Sequence, residues 1–461
     1  MEKVSATEKK ISSRFIYFFG SFGGILFGYD IGVMTGALPF LQTDWGLQNN
    51  ATITGWITSA VMLGAIFGGA IAGQISDKLG RRKMILISAL IFMAGSLLSA
   101  ISPHDGQFYL IAVRVFLGLA VGASSALVPA YMSEMAPAKM RGRLTGINQT
   151  MIVSGMLLSY VMDFVLKDLP ENWAWRSMLG LAAVPALILF FGVLKLPESP
   201  RFLVKNGRPD DARRVLSYIR DSDEGIDKEL EQIQDTASQE KKISKATTWG
   251  TVFSSKYRYL AIAGIGVAAF QQFQNANAIF YYIPLIVEKA TGAAANSALM
   301  WPIIQGIILV VGSLVFLGIA DKFKRRTLLI LGGTVMGLSF LLPTVIKLLM
   351  PNSSPLLIVV FLSIYVAAYS FTWAPLTWVI IGEVFPLAIR GRASGAASSA
   401  NWVGSFAVGL LFPIMTASMP QDAVFAIFGV ICLLGVWFIH SRVPETKGRS
   451  LEDIEEENIN K

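Results

Sequence analysis

Long apolar segments recur along the whole chain and are separated by short polar stretches. A helix needs about 20 apolar residues to cross a hydrocarbon core of about 30 Å. About twelve segments meet this length: 15–40, 54–75, 84–102, 107–132, 144–166, 174–196, 257–290, 297–319, 326–348, 355–382, 393–417 and 422–441. The pattern predicts an all-α membrane protein with about twelve transmembrane helices.

The composition agrees with a chain that is solvated largely by lipid. Hydrophobic residues make up 53% of the 461 positions, charged residues 15%, and the mean hydropathy is +0.55. The net charge of +8 does not indicate nucleic-acid binding, because the basic residues lie between apolar segments instead of forming one face. The single cysteine, Cys432, excludes an intrachain disulfide and a cysteine-rich metal site. We therefore expect the lipid bilayer as a partner, no nucleic acid, no metal and no cofactor.

Lysine and arginine are concentrated in alternate loops. The basic stretches are 77–83, 139–143, 195–256, 322–326, 390–392 and 442–449, whereas the opposite loops hold only Lys167, Arg176, Lys289 and Lys347. Because basic loops stay in the cytoplasm, both termini and the central linker are expected there. The first apolar segment is longer than the core of a signal peptide, so we expect it to remain in the protein as a transmembrane helix. The prediction is a multi-pass protein of the cell (plasma) membrane.

The two halves of the chain repeat each other at a spacing of about 245 residues. Three motifs recur in the same order: 77–82 as 321–326, 134–143 as 383–392, and 197–201 as 444–448. Duplicated bundles with a central site are a transporter architecture. The predicted units are an N-terminal six-helix bundle, a cytoplasmic linker with short helices, a C-terminal six-helix bundle and a cytoplasmic tail, at 1–196, 197–256, 257–442 and 443–461.

These motifs resemble the sugar porter family of the major facilitator superfamily. The doubled D-x-x-G-R-R element at 77–82 carries the likeness, together with Pro-Glu-Ser-Pro-Arg at 197–201, Gln-Gln-Phe at 271–273 and Pro-Glu-Thr-Lys-Gly at 444–448. The family includes bacterial xylose, arabinose and glucose proton symporters and animal facilitative glucose transporters. The resemblance covers essentially the whole chain and implies two pseudo-symmetric six-helix bundles. Lys324 departs from it, since glycine is usual there.

The repeated cytoplasmic motifs are interpreted as a latch. Acidic and guanidinium groups at helix ends can hold neighbouring helices together in one conformation and release them in another. The alternative is that the basic loops only fix topology. The candidate latch residues are Asp77, Arg81, Arg82, Glu134, Arg141, Glu198, Arg201, Asp321, Arg325, Arg326, Glu383, Arg390 and Glu445.

Asp30 and Arg114 are charged residues in the middle of apolar segments. Such a charge costs about 2.5–3.5 kcal/mol on insertion scales, so it usually has a function. Arg114 favours an ionised Asp30 and dry surroundings favour a neutral one. By resemblance, Asp30 is the proton acceptor and Arg114 its partner; the family's animal uniporters have asparagine at the first position. The alternative is a purely structural buried pair. Asp163 is placed near the outer end of its segment, where it is expected to reach headgroups or water, and receives no role.

Amides and aromatic rings are candidates for holding a sugar. Amide side chains both donate and accept hydrogen bonds, as sugar hydroxyls do, and rings stack on the apolar sugar face. By resemblance, the positions that contact sugar are Phe27, Gln149, Gln271, Gln272, Asn277, Trp378, Asn401 and Trp402. The alternative is that the amides join helices and the tryptophans anchor at interfaces. That structural interpretation is preferred for Gln274, Asn275 and Trp373.

The expected activity is the import of a monosaccharide with a proton by alternating access, by a protein that works as a monomer. Leu309, Ala374 and Met156 replace residues usual in sugar porters, so the particular pentose or hexose stays open. A sugar uniporter and an inositol or polyol symporter are the alternatives. Catalysis is not expected, because no nucleophile with a base and no phosphate-binding loop is present. A non-transporting sensor is not favoured either, because the tail after Pro444 is short.

Overall fold

The computed structural model describes residues 11–136, 141–220, 223–246, 248–274, 276–292, 298–319, 322–386 and 388–449, with Ile454 and Glu457. It does not describe the side chains of 141–145, 223–224, 237 and 239–246. The helices are α1 (Ser13–Ser21), α2 (Gly23–Asp44), α3 (Ala51–Leu79), α4 (Arg81–Ala100), α5 (Gln107–Met135), α6 (Arg141–Leu166), α7 (Glu171–Leu181), α8 (Ala183–Leu194), α9 (Pro200–Lys205), α10 (Pro209–Ile219), α11 (Asp223–Ala246), α12 (Trp249–Val252), α13 (Arg258–Phe273), α14 (Ala276–Thr291), α15 (Met300–Ile319), α16 (Arg325–Leu349), α17 (Leu356–Phe371), α18 (Trp373–Val384), α19 (Arg390–Ser418) and α20 (Gln421–Arg442).

In the described ranges, eleven of the predicted segments coincide with helical spans that are long and apolar enough to cross a membrane. The seventh predicted segment is the exception. The predicted segment 257–290 is two helices of 16 residues, α13 and α14, with Gln274 at the end of the first. The amides of Gln271, Gln272 and Gln274 lie in the last turn before this point, where the first helix ends. Broken membrane helices are found in transporters beside the substrate site.

The tenth segment is also broken, between α17 and α18. The break falls at Thr372, whose backbone angles are φ −123° and ψ −86°. Pro375 lies three residues later, and a proline ring clashes with the carbonyl four residues before it, here that of Phe371 at the end of α17. Pro375 therefore accounts for this interruption, and α18 ends at Val384, before Pro386.

Glycines spaced four apart set the packing of α2 on α6. A side chain at Gly24, Gly28, Gly32 or Gly36 would overlap atoms of α6. Residues spaced four apart lie on one helix face, and small residues on that face let two backbones approach closely in a membrane. This glycine ladder therefore fixes which residues of α6 meet α2.

We expect Gly28→Ala to lower the thermal stability of the purified transporter. The new methyl group would overlap the carbonyl of Ile152, and overpacking of this kind costs about 1–3 kcal/mol. The measurement is the melting temperature in detergent. Gly73→Ala is the matched control, because Gly73 in α3 has open space around it. An equal melting temperature for the two variants would show that close α2–α6 packing does not contribute to stability.

The N-half (α1–α8) and the C-half (α13–α20) touch at the outer end, which is the end opposite the basic loops. The Thr35 hydroxyl on α2 donates to the carbonyl of Phe280 on α14 over 2.9 Å. The hydroxyls of Thr58 on α3 and Tyr282 on α14 lie 2.6 Å apart. These hydrogen bonds join the two halves and close the outer end.

The basic end, where the lysine-rich and arginine-rich loops lie, has open space beside three helices, although α6 and α15 still touch towards it through the Thr150 and Ser313 hydroxyls, 2.7 Å apart. Side chains added at Gly73 in α3, Gly382 in α18 and Gly395 in α19 would meet only open space. Trp378, also on α18, is 39% exposed. The protein is therefore closed at the outer end, with free space beside α3, α18 and α19 at the basic end.

Candidate functional site

Asp30 and Arg114 come together in the N-half. Asp30 on α2 and Arg114 on α5 are each 1% exposed, and Asp30 Oδ1 lies 4.0 Å from an Arg114 guanidinium nitrogen. The guanidinium is held mainly by α3, because Arg114 Nε donates to the carbonyl of Ile57 over 2.9 Å. Asp30 Oδ2 has no hydrogen-bond partner among the described residues. The pair is therefore in contact but not joined by a short hydrogen bond.

Two aromatic side chains of the C-half lie near this part of α2. Tyr281 on α14 is 1% exposed and lies close enough to interact electrostatically with both Asp30 and Arg114. One turn from Asp30 along α2, the ring of Phe27 packs against Trp402 on α19, with centroids 5.4 Å apart. Asp30 therefore lies where α2 meets the opposite half.

An amide network lies in the C-half, where α13, α18 and α19 meet. Gln271 Nε2 donates to two carbonyls in the first turn of α18, each at 3.1 Å. Asn401 Nδ2 donates to Gln271 Oε1 at 2.7 Å, and Gln272 Nε2 donates to Asn401 Oδ1 at 3.3 Å. Gln272 Oε1 has no partner among the described residues. The structure thus brings three predicted residues together and leaves one buried acceptor unused.

The other predicted sugar positions are more exposed than the amide network or form hydrogen bonds outside it. Asn277 on α14 is partly buried and donates to the Ser405 hydroxyl at 2.7 Å. Gln149 on α6 is half-buried, and Trp378 on α18 is 39% exposed. Trp378 is thus the most exposed of these three side chains, and Gln149 and Asn277 are partly accessible.

Gln274, Asn275 and Trp373 are the amide and tryptophan residues for which the sequence favoured a structural role. The contacts of Trp373 agree with that role, and those of Gln274 do not. Trp373 is 0% exposed and its indole nitrogen donates to the Leu329 carbonyl over 2.9 Å. Gln274 is also 0% exposed, but both of its amide atoms lack a partner among the described residues. Asn275 lies outside the described residues.

In the first copy of the latch, three carboxylates hold the ends of several helices together. Arg81 pairs with Asp77 at 2.8 Å and with Glu134 at 3.4 Å. Glu134 also accepts a short hydrogen bond from the Ser199 hydroxyl. Glu198 accepts from the backbone N–H groups of residues 82 and 199, at 3.1 and 2.9 Å. These contacts fasten α3, α4 and α5 to the start of α9.

The second copy repeats this geometry. Glu445 accepts from the backbone N–H groups of Arg325 and Arg326, at 2.9 and 3.2 Å. Glu383 lies 3.6 Å from the Arg325 guanidinium and accepts from the Thr446 hydroxyl at 2.6 Å. Sequence reasoning expected acid–guanidinium pairs throughout. Instead, the two glutamates of the Pro-Glu motifs bind the first N–H groups of a helix, which carry partial positive charge.

Several latch residues have other contacts than the predicted ones. The Arg82 side chain donates to the carbonyls of Val193 and Leu194 at the end of α8, and Arg326 likewise donates to the His440 carbonyl at the end of α20. A guanidinium there satisfies the last carbonyls of a helix. The remaining predicted members are Arg201, which lines a cavity with Asp77 and Lys205; Arg390, which donates to the Phe385 carbonyl; and Asp321 and the Arg141 side chain, which lie outside the described residues.

A family model described as "Sugar (and other) transporter" matches residues 16–457. The chain belongs to the sugar porter family. This sugar porter is 42% identical over 451 residues to a D-xylose transporter of Levilactobacillus brevis, covering 97% of this chain and 96% of the relative. It is 34% identical over 457 residues to the galactose-proton symporter of Escherichia coli, covering 98% and 96%. The prediction of a transporter and not an enzyme is confirmed.

The fold of this sugar porter also matches a solved relative. The Escherichia coli xylose transporter in a partially occluded, inward-open conformation superposes with a TM-score of 0.83 at 27% sequence identity, covering 95% of this chain and 99% of that one. The predicted major facilitator fold of a multi-pass membrane protein is confirmed. The free space at the basic end agrees with such a conformation.

Sequence reasoning placed Asp163 where it would reach headgroups or water, and this was wrong. Asp163 on α6 is 1% exposed and lies against Gly36 of α2. The glycine ladder was the available signal, because glycines every four residues from Gly24 to Gly36 predict a close helix contact over that whole length. The residues that close the outer end of this sugar porter, such as Thr35, carried no signal that distinguished them from other small polar residues.

Proposed function

We propose that this sugar porter imports a monosaccharide together with a proton by alternating access, with Asp30 as the proton acceptor and Arg114 as its partner. The observation that carries the proposal is the buried Asp30–Arg114 pair at 4.0 Å. A charge-assisted hydrogen bond would be about 2.7–2.9 Å long. The longer separation leaves Asp30 Oδ2 available for a proton while Arg114 stays fixed by α3.

The location of the pair supports its coupling to sugar. Tyr281 connects it electrostatically to the C-half, and Phe27 on the same helix packs against Trp402 beside the amide network. A change in the charge of Asp30 therefore acts on a helix that also borders the proposed sugar pocket.

We propose a pentose or hexose such as xylose, arabinose, glucose or galactose as the substrate. The free Gln272 acceptor and the exposed ring of Trp378 match the hydroxyls and the apolar face of a sugar ring. The names of the relatives, a xylose transporter and a galactose symporter, favour the same class. Met156, Leu309 and Ala374 are all buried. They make the surroundings less polar, and each lost neutral hydrogen bond changes affinity by only about 1 kcal/mol.

The membrane orientation and the latch belong to the same proposal. The basic end faces the cytoplasm by its charge, so both termini are cytoplasmic and the pocket opens inward. The ion pairs described for the latch join residues of the same half. They keep the helix ends of each half together as a rigid unit, while the contact between halves is remade in the outward-facing state.

The test is the uptake of labelled sugars into proteoliposomes. Xylose, arabinose, glucose, galactose and inositol are each supplied with and without an imposed inward proton gradient. We expect one of the monosaccharides to accumulate above its outside concentration only when the gradient is present. Uptake that merely equilibrates with or without the gradient would support a uniporter instead. Accumulation of inositol alone would support a polyol symporter.

A further inference from the structure

We propose that Asp163 is a second proton-binding residue, which holds a proton while the outer end is closed and releases it to water when that end opens. This inference rests on the proposed proton-coupled transport, because it adds a second titrating group to the same cycle.

The first observation is that Asp163 is buried with no side chain to hydrogen-bond it. It is 1% exposed, it lies against the backbone of Gly36, and no side chain among the described residues donates to either carboxylate oxygen. An ionised carboxylate in such a place would cost several kcal/mol, and proteins usually avoid that cost by neutralising the group. The closed structure therefore accommodates Asp163 as the neutral acid.

The second observation is that no cation in the described part of the chain interacts with Asp163. The titratable groups found there to interact with it are Tyr29 on α2 and Tyr160, one turn earlier on α6. Two cations lie nearby in the chain but are engaged elsewhere. Lys167 lies over the Phe164 ring, 3.9 Å from its centroid, and Arg176 on α7 pairs with Asp44 at 3.1 Å. Asp163 thus differs from Asp30, which has an arginine beside it.

The third observation is that Asp163 lies behind the contact that closes the outer end. It packs against Gly36, and the preceding residue, Thr35, donates across to Phe280 of the C-half. Tyr160 interacts with the Thr35 hydroxyl and its ring also borders Gly306 of α15 in the C-half. When this contact separates, water gains access to the α2–α6 seam, and Asp163 can ionise there.

The consequence is a pH-dependent outer gate. Closing the outer end requires a proton on Asp163, so low pH favours the closed form and high pH favours the open form. If one proton is released on opening, the logarithm of the ratio of open to closed populations rises by about one for each unit of pH.

The experiment measures the distance between two spin labels at the outer end. Asn49→Cys and Asn352→Cys place one exposed label site on each half, and Cys432→Ala removes the buried native cysteine. Pulsed electron resonance in lipid nanodiscs then gives the open and closed populations from pH 5 to pH 9. Because Asp30 also titrates in our proposal, the series is measured in the Asp30→Asn background.

In the Asp30→Asn background, we expect a plot of log(open/closed) against pH to have a slope of about one. Adding Asp163→Asn should remove this pH dependence. Asp163→Ser, a smaller neutral replacement, should give the same loss. Asp168→Asn removes an exposed carboxylate five residues further on and should keep the slope. Sugar binding, followed by tryptophan fluorescence, shows that each variant is folded.

An unchanged slope with Asp163→Asn, or a flat profile already present with Asp163 intact, would overturn the inference. Its failure is distinguishable from failure of the proposed function. If a proton gradient drives uptake by the native protein and the slope does not depend on Asp163, only the second proton site is wrong. If the gradient has no effect on uptake, the proposed coupling is wrong, whatever the slope.

Discussion

Asp30→Asn is expected to abolish uphill sugar accumulation while preserving exchange of sugar across the membrane. Asparagine has nearly the same shape and keeps an acceptor facing Arg114, but it cannot take up or release a proton. The side chain that faces Arg114 across 4.0 Å would then stay uncharged throughout the transport cycle, as a protonated aspartate is. Proteoliposomes with a proton gradient should show accumulation falling to equilibration, whereas counterflow against preloaded unlabelled sugar should continue.

The control for this variant is Asp168→Asn, which changes an exposed carboxylate after α6. It should accumulate sugar as the native protein does. If Asp30→Asn also accumulates sugar against its gradient, Asp30 has no part in coupling. If it loses both accumulation and counterflow, the pair supports transport structurally and its role as a proton acceptor is not supported.

Gln272→Leu is expected to raise the KM for sugar by about tenfold with a smaller effect on maximal exchange. The substitution removes the unused Gln272 acceptor and leaves Asn401 Oδ1 without its donor. Loss of such hydrogen bonds costs about 1–3 kcal/mol, and 1.4 kcal/mol is a factor of ten in affinity. Initial rates of exchange over a range of sugar concentrations measure both parameters.

Gln305→Leu provides the matched control. Gln305 on α15 is also a buried membrane amide, and it donates to the Ser363 hydroxyl on α17 at 2.8 Å, separately from the amide network. If the two variants raise the KM equally, the effect belongs to general helix packing. A normal KM for Gln272→Leu would remove this residue from the sugar site.

The fold was predictable because membrane helices have strong and simple signals. Apolar length located eleven of the spans, and the recurrence of 77–82 as 321–326, with lysine in place of glycine, indicated the duplication. The break at Gln274 was not predicted, because hydropathy averages across it and the segment 257–290 remains apolar overall. The break at Thr372 was partly predictable, since Pro375 interrupts the helix by a local steric clash.

The candidate site was predictable only in its residue types. Charge in an apolar segment pointed to Asp30 and Arg114, and the structure places them in contact. The same reasoning missed Asp163, because distance from the segment end is a poor guide to burial when a neighbouring helix covers the side chain. Nor could sequence show that Gln271 uses its amide on the carbonyls of α18. That arrangement depends on a tertiary contact between residues about one hundred positions apart.

The central claim is that sugar and proton cross the membrane together, and sugar-driven proton movement tests it most directly. Native protein is reconstituted with a pH-sensitive dye inside the vesicles, the membrane potential is clamped at zero, and an accepted sugar is added outside without a pH gradient. Our account predicts that sugar entry acidifies the lumen, and that Asp30→Asn removes this signal. Sugar entry by the native protein with no change in lumenal pH would contradict proton coupling.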